Sequence, residues 1–364
     1  MKKINKYLRG IFTAVTVVWL VFTVLHIIFT GKIYLWNFLS NIPTFSFVLI
    51  PLFLLVCEIV WKKRKLYVIL IIVLSLILGF TQFDINLFRL KGHVAQSNEY
   101  TKVKIFDWNT CLWDQDKDKK QFYEFLKKQK ADIYILQEYL NILPTFREPS
   151  KEEVERRKLI RICTTVPGFP HIYQPIDDLK AIKEAFPDYH ITIDTQYVIL
   201  SRYPIKASYM DKSEQYAVTD IDINGRLVRF YNVHLLLHVE PVSPLRPYFY
   251  EALERRFKAR KLGLQNLKQD IKNTDKDYFI SGDFNSTKAM GVMGDFMEDH
   301  IDAVRYSNEL LPLTFKYFGL NFWRLDYAFV KKDNKNLMVE SYKTVNSEGL
   351  SDHHALSLSV DIKK

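Results

Sequence analysis

Three long apolar runs open the chain, and a finer alternation replaces them near residue 100. The first run covers residues 11–30 and holds only His26 as a titratable group; the second, residues 43–60, carries Glu58 near its end; the third, residues 66–83, has no charge. A bilayer core takes about 20 apolar residues per helix, so the runs predict three transmembrane helices forming a membrane anchor over residues 1–83. Trp36 and Trp61 flank the second run, where interfacial aromatics belong. Lys2, Lys3, Lys6 and Arg9 form a basic leader without a small-residue cleavage site behind the first run, so that run is expected to be retained. Residues 84–100 read as a polar tether. From there the apolar runs shorten to strand length, at residues 103–108, 132–137, 197–200, 217–223, 227–234, 278–281, 325–330 and 355–360. Helices are predicted at residues 118–130, with Phe122, Phe125 and Leu126 as the apolar stripe, and at 151–162 and 247–271. Asn224-Gly225 between two strands marks a hairpin. Many strands with few helices predict an α/β (α+β) domain over residues 101–364, with two mixed β-sheets packed together and flanked by helices.

Composition narrows the function. Apolar residues make up 48% and charged residues 25%, so a packed core is available and global disorder is excluded. Three cysteines with no CxxC pair exclude a disulfide framework and a zinc ribbon; Cys111 and Cys163 are expected to stay unpaired. The net charge of +10 points first to nucleic acid or an anionic surface. Residues 1–100 hold 11 Lys+Arg against 3 Asp+Glu, whereas residues 101–364 hold 40 against 38, a net of only +2. The excess is therefore at the anchor, in the leader and in Lys62, Lys63, Arg64 and Lys65. The positive-inside rule puts the N-terminus and this loop in the cytoplasm. Three spans then make the chain an integral protein of the cytoplasmic membrane with its large domain on the extracytoplasmic side.

Polar residues collect where strands end. Asn109, Glu138 and His234 close three strands; Asp283 and Asn285 follow a fourth; Asp326 opens the next; Asp352 and His353 precede the last. Each alone is an ordinary turn or surface residue. Together they suit phosphate-ester hydrolysis. A phosphodiester repels hydroxide, so a hard cation held by oxygen ligands such as Glu138 and Asp352 is needed to neutralise it. Asp283 can deprotonate or align a water. His353 backed by Asp326 can stabilise the crowded phosphorane or protonate the leaving oxygen. Asn109 and Asn285 can orient these groups without adding charge.

These segments resemble the endonuclease/exonuclease/phosphatase superfamily, which includes pancreatic-type deoxyribonucleases, apurinic/apyrimidinic repair endonucleases, neutral sphingomyelinases and inositol-polyphosphate 5-phosphatases. The resemblance rests on Asp107-Trp-Asn109, Leu136-Gln-Glu138, Leu200-Ser-Arg-Tyr-Pro-Ile205, Asn232-Val-His234, Ser281-Gly-Asp283-Phe-Asn285, Trp323-Arg-Leu-Asp326-Tyr and Leu350-Ser-Asp352-His353, in that order. It implies a four-layer α/β sandwich and a divalent metal, usually magnesium, with manganese as an alternative. It also implies Glu138 as metal ligand with Asn109 and Asp352 close to the metal, Asp283 and Asn285 on the nucleophilic water and phosphate, His234 on the phosphate, and an Asp326–His353 pair.

Two regions depart from the compact pattern. Residues 143–179 read as an insertion, either a solvated helix or a substrate lid. Residues 238–257 contain Pro244, Leu245, Tyr248, Phe249 and Tyr250, followed by Arg255, Arg256, Lys258, Arg260 and Lys261. They form an ordinary loop and solvated helix, or they meet a lipid interface and its anionic headgroups. The expected function is a membrane-anchored phosphodiesterase or phosphatase acting on a lipid headgroup or a soluble phosphate ester. A membrane-tethered nuclease is the alternative, and a binding module without catalysis is the third reading.

Overall fold

The computed structural model describes residues 2–61, 64–93, 99–113, 118–142, 152, 160–161, 172–239 and 243–364. They divide into two compact units, Met1–Ile85 with Ser286–Asp295, and Asn86–Asn285 with Phe296–Lys364.

The first unit is built on three helices, α1 (Lys2–Phe29), α2 (Ser46–Val60) and α3 (Leu66–Gln82). Phe47, near the start of α2, packs against Trp19, Phe22 and His26 in the second half of α1. At the other end, Arg9 makes a two-pronged ion pair with Glu58, at 2.5 and 2.6 Å, and Glu58 also accepts from the Lys65 amide at 2.8 Å. Leu54, Val68 and Ile72 form the buried core of the bundle. Its outer faces are apolar and exposed: Ile11, Val18, Leu49, Phe53, Val56, Leu70 and Ile77 each show 55–66% of their surface. The three predicted spans are not equal. Among the described residues only α1, over Asn5–Phe29, is long and apolar enough to cross a membrane. At 15 and 17 residues, α2 and α3 fall short of the expected 43–60 and 66–83. Residues 43–45 form a turn that enters the helix instead of lengthening it.

The second unit is a mixed α/β domain in which two six-stranded sheets pack together. Its strands are β1 (Tyr100–Asn109), β2 (Ile133–Gln137), β3 (His190–Asp194), β4 (Tyr197–Ser201), β5 (Ile205–Met210), β6 (Tyr216–Ile223), β7 (Arg226–His234), β8 (Asp277–Asp283), β9 (His300–Asp302), β10 (Asp326–Lys331), β11 (Leu337–Val345) and β12 (Ala355–Lys363). The first sheet runs β11-β12-β1-β2-β4-β3 and the second β9-β10-β8-β7-β6-β5. The β1–β2 and β7–β8 pairs are parallel, and the remaining neighbours are antiparallel. Val103, Ile105, Ile133 and Ile135 of the first sheet share a core with Ile221, Val228, Phe230, Phe279 and Ala328 of the second. A second core lies under α4 (Lys119–Gln129), where Phe122, Phe125 and Leu126 meet Phe106, Trp108 and Tyr134. The Asp118 side chain caps α4 by accepting from the Lys120 and Gln121 amides. The predicted helix at 247–271 is Pro247–Asn273, and Asn224-Gly225 turns the β6–β7 hairpin with φ of 52° and 93°.

Two expectations change. Residues 86–93 are not a loose tether. Asn86 Nδ2 donates to the carbonyls of Val304, Ser307 and Glu309, the Leu90 amide bonds the Arg305 carbonyl, and His93 Nδ1 lies 2.8 Å from Asp361. The segment is hydrogen-bonded along the domain because its polar groups find unused carbonyls there. The helix expected at 151–162 lies mostly outside the described residues. Its end, Ile160–Arg161, is a strand paired with Ile172–Pro175, which in turn pairs with Leu140–Ile142. Cys163 also lies outside the described residues.

Candidate active site

Side chains on a strand alternate between faces, and the faces that meet between the sheets change character along their length. Val103 and Ile105 are followed on the same face by Asp107 and Asn109; Ile133 and Ile135 by Gln137; Val228 and Phe230 by Asn232 and His234; Phe279 by Ser281 and Asp283. The apolar core thus turns polar towards one end. The parallel pairing makes this coherent, because β1 and β2 both end there, as do β7 and β8. Register aligns Asn109 with Gln137, His234 with Asp283, and Asp283 with Asp326.

The first polar layer is sealed. The Ser281 hydroxyl and Gln137 Nε2 donate to Asp107 Oδ2 at 2.8 and 3.2 Å, Gln137 Nε2 also donates to Asn232 Oδ1 at 2.7 Å, and Asn232 Nδ2 donates to the Leu136 carbonyl. Asp107 is fully buried, and loss of water pushes its carboxyl well above the usual range. Ser281, Gln137 and Asn232 stitch the two sheets together through polar bonds where the apolar contact ends.

The second layer opens outward. Asn109 Nδ2 donates to Glu138 Oε1 and to Asp283 Oδ2, each at 3.1 Å, joining two carboxylates through an uncharged amide. Glu138 follows the last residue of β2 with φ of 65°, and its other oxygen accepts from the Leu112 amide at 2.9 Å. A non-glycine residue in this left-handed region costs about 1–3 kcal/mol and persists where surrounding bonds enforce it. Asp283 accepts from the Asn285 amide at 2.7 Å and from Asn285 Nδ2 at 3.0 Å. Gly282 must be glycine: its φ is 137°, and a Cβ would lie 2.0 Å from the Val233 carbonyl on the neighbouring strand. Two imidazoles face Asp283 from either side, with His234 Nε2 and His353 Nε2 both 3.7 Å from Oδ2. His353 Nδ1 is 2.9 Å from Asp326 Oδ2.

Charge follows from burial. Removal from water pushes Asp283 up to about 6, against the pull of His353 and His234. Burial works against a charged His353, but the Asp326 and Asp283 carboxylates outweigh it and hold the imidazole well above its ordinary range. These carboxylates therefore favour the protonated form of His353.

Seven of the eight residues expected at the site are joined by these contacts. Asp352 makes none of these hydrogen bonds and is exposed, although its charge also acts on His353. Its neighbours are nevertheless tied to the end of β1, since the Ser351 hydroxyl bonds the Asn109 carbonyl at 2.8 Å and Trp108 Nε1 bonds the His353 carbonyl at 3.2 Å. Sequence reasoning missed Gln196, whose Oε1 accepts from His234 Nδ1 at 2.7 Å and so orients the ring. A single glutamine in a β-turn carries no periodic or spacing signal. It also misread Arg256 and Arg260. These are 4% and 2% exposed and donate to the carbonyls of Leu237 and Leu236, so they brace the loop behind His234 rather than meeting headgroups. Arg260 also bonds the Phe284 carbonyl, between Asp283 and Asn285. Phe249 is buried, while Leu245 is 92% exposed.

A family model described as the Endonuclease/Exonuclease/phosphatase family matches residues 108–353. The chain belongs to this family. It is a metal-dependent phosphoric ester hydrolase. Similar solved structures include a family protein from Leptotrichia buccalis, with 16% identity over 71% of this chain and 99% of that one and a TM-score of 0.46. They also include the 3′ phosphatase NExo from Neisseria bound to product DNA hairpin (15%, 70% and 98%, TM-score 0.46). The beta toxin of Staphylococcus aureus is similar at 15% identity over 72% of this chain and 100% of that one, with a TM-score of 0.43. No curated protein matches.

Members of the endonuclease/exonuclease/phosphatase family use a divalent metal, and the donors here fit one. Asp283, Asp326 and His353 offer ligand atoms within 4.8 Å of one another. A protonated imidazole has no free lone pair, however, so a cation there would have to displace the His353 proton. Glu138 fits a hard cation better: it is partly exposed, keeps lone pairs beyond its two bonds, and shares the Asn109 amide with Asp283.

Proposed function

We propose that the protein is a membrane-anchored phosphoesterase that hydrolyses a phosphate ester by in-line attack of water, with magnesium as its metal. The observation that carries the reading is the convergence of Asn109, Asn285, His234 and His353 on the Asp283 carboxylate. Glu138, assisted by Asn109 and Asp352, would hold the metal, which neutralises phosphate charge when bound. Asp283 is the proton acceptor for the attacking water; its raised pKa matches it to neutral pH. Asn285 fixes Asp283, because its backbone amide and one side-chain hydrogen go to the carboxylate and the other side-chain hydrogen goes to the Leu235 carbonyl. His234, oriented by Gln196, contacts a phosphate oxygen. His353, charged and backed by Asp326, stabilises the negative charge that builds up on the phosphorane and supplies a proton to the leaving oxygen.

The anchor reading is supported by the apolar outer faces of the helical bundle, where many large aliphatic and aromatic side chains are exposed. Arg9 pairs with Glu58, which also accepts from the Lys65 amide, so the start of α1 and Lys65 share one end of the bundle, which the positive-inside rule makes cytoplasmic. At 1.5 Å per residue, α2 and α3 reach roughly 22–26 Å, against about 30 Å of hydrocarbon. They cross as short, locally thinned spans or turn back as a pair. Both cases leave the chain after residue 83 on the side opposite the N-terminus, outside the cytoplasm. A domain of near-neutral charge favours a lipid headgroup or soluble phosphate ester over duplex nucleic acid, which draws on several cationic contacts.

The test uses the full chain in detergent with magnesium, offered duplex DNA and mixed micelles of phospholipids and sphingolipids side by side. Glu138-dependent release of phosphate or headgroup from micelles, with DNA intact, is expected. DNA cleavage with inert micelles would make it a tethered nuclease, and Glu138→Ala retaining full activity would sink the reading.

A further inference from the structure

One buried histidine in the helical bundle has no part in the chemistry above. His26 lies in α1, fully buried, and its Nε2 is 2.8 Å from the carbonyl oxygen of Ala289. Trp36 Nε1 donates to His26 Nδ1 at 3.1 Å. An indole N–H only donates, so Nδ1 accepts and Nε2 carries the hydrogen that meets Ala289. Just past the end of α1, Thr30, whose amide still bonds the His26 carbonyl, accepts at Oγ1 from the Gly291 amide at 3.2 Å and lies 3.4 Å from the same Ala289 carbonyl. Ser40, also buried, meets the Thr30 hydroxyl at 3.2 Å. Gly291 fits only without a side chain, since a Cβ would sit 2.4 Å from the Thr30 carbonyl. The segment is also held at its start, where the Lys288 amide and Nζ reach Asp84 Oδ2 and the Phe83 carbonyl at 3.4 Å each.

These bonds matter because of where the segment begins. Ser286–Asp295 belongs to the helical unit, and its first residue is peptide-bonded to Asn285. Three residues lie between Asn285 and Ala289, and a turn between Thr287 and Met290, closed at 2.9 Å, fixes the path of the chain there. So short a connection, closed by that turn, ties the position of Ala289 to that of Asn285 through the chain itself. Asn285 in turn holds both oxygens of Asp283.

We infer that α1 is a positioning element of the active site as well as an anchor: His26 and Thr30 form a polar cradle that grips the chain just beyond Asp283 and Asn285. The inference rests on the role proposed above for Asp283. It makes catalysis depend on the state of the helical bundle and explains why an apolar helix keeps a histidine and a threonine inside. A misplacement of about an ångström in catalytic groups can cost up to a hundredfold in rate, so loss of part of the cradle should be visible in kcat.

The full chain is prepared in detergent as wild type, His26→Leu, His26→Gln and Thr30→Val. Gln can place a donor where His26 Nε2 meets Ala289; Leu offers none. Two readouts are taken: hydrolysis of bis(p-nitrophenyl) phosphate with magnesium, and amide hydrogen exchange over residues 284–291 without metal. His26→Leu and Thr30→Val should exchange faster there and lose about tenfold in kcat, with KM within twofold of wild type. His26→Gln should recover most of both. Unchanged exchange and kcat in both His26→Leu and Thr30→Val would overturn the inference. So would equal losses in His26→Leu and His26→Gln, which would indicate packing alone. Faster exchange in the variants of a wild type that hydrolyses no phosphate ester would keep the cradle and refute the phosphoesterase reading instead.

Discussion

His353 Nδ1 lies 2.9 Å from Asp326 Oδ2, and both residues are at least 95% buried. An imidazole so deeply buried would ordinarily be neutral. Here the paired carboxylate, with Asp283 beyond it, keeps it charged. Asp326→Asn removes that charge and should lower kcat by about 10²–10⁴-fold. In the proposed mechanism His353 acts in its protonated form, and the substitution lowers its pKa, so the alkaline limb of the kcat profile should move to lower pH. A pH–rate profile of the variant checks this; an unmoved limb would assign the acid elsewhere.

Asp283 works in the opposite direction. A base acts only when deprotonated, and burial raises its pKa to about 6. Activity should therefore fall as pH drops through that value, with the slope of a single proton. Asp283→Asn should abolish this limb and reduce kcat by about 10²–10⁴-fold. Wild-type activity that stays level from pH 7 to about pH 4.5 would exclude Asp283 as the base.

Metal dependence separates Glu138 from Asp283. Chelation should abolish hydrolysis, and added magnesium should restore it. Calorimetric titration should show magnesium binding lost in Glu138→Ala and retained in Asp283→Asn, because Asp283 is held by the two asparagines and two imidazoles around it. Weakened binding in Asp283→Asn with normal binding in Glu138→Ala would place the metal in the Asp283, Asp326 and His353 cluster.

Asp107 is a stability cost rather than a reactive group. Its Oδ1 and the nearby Gln137 Oε1 have no hydrogen-bond partner among the described residues. Its pKa is raised in the folded state. The folded protein then holds the proton longer than the unfolded chain, and stability falls as pH rises above the unfolded value of about 4. Asp107→Asn keeps an oxygen for Ser281 and Gln137 and brings an amide that Gln137 Oε1 can accept. Chemical denaturation should show a gain of roughly 1–3 kcal/mol at neutral pH that shrinks towards pH 4. A destabilised variant at neutral pH would show that the charge is accommodated.

In the helical unit, Glu58→Ala leaves Arg9 with a buried charge and no counter-ion. Thermal unfolding in detergent should show a loss of about 3–5 kcal/mol, and the double replacement Arg9→Leu with Glu58→Leu should recover most of it. Equal losses in the single and double variants would mean the pair itself, not the orphaned charge, sustains the bundle.

Much of this was legible in the chain. The apolar runs, the Asn224-Gly225 hairpin, the stripe of α4 and the long helix at Pro247 depend on neighbours a few residues apart, and local spacing records them directly. The site residues were legible because each sits at a strand end in a fixed order. Pairing was not. That Asp283 faces both His234 and His353, that Gln196 turns the His234 ring, and that Asp107 is sealed between the sheets follow from strand register and sheet packing across gaps of 27 to 174 residues. Arg256 and Arg260 read as a charged surface because helical spacing does not reveal which face a sheet will cover. The length of α2, the bonds holding residues 86–93 and the grip of His26 on Ala289 were decided the same way. Sequence determines which groups are present and how they alternate; only folding brings distant carbonyls and carboxylates close enough for their charges and protons to act on one another.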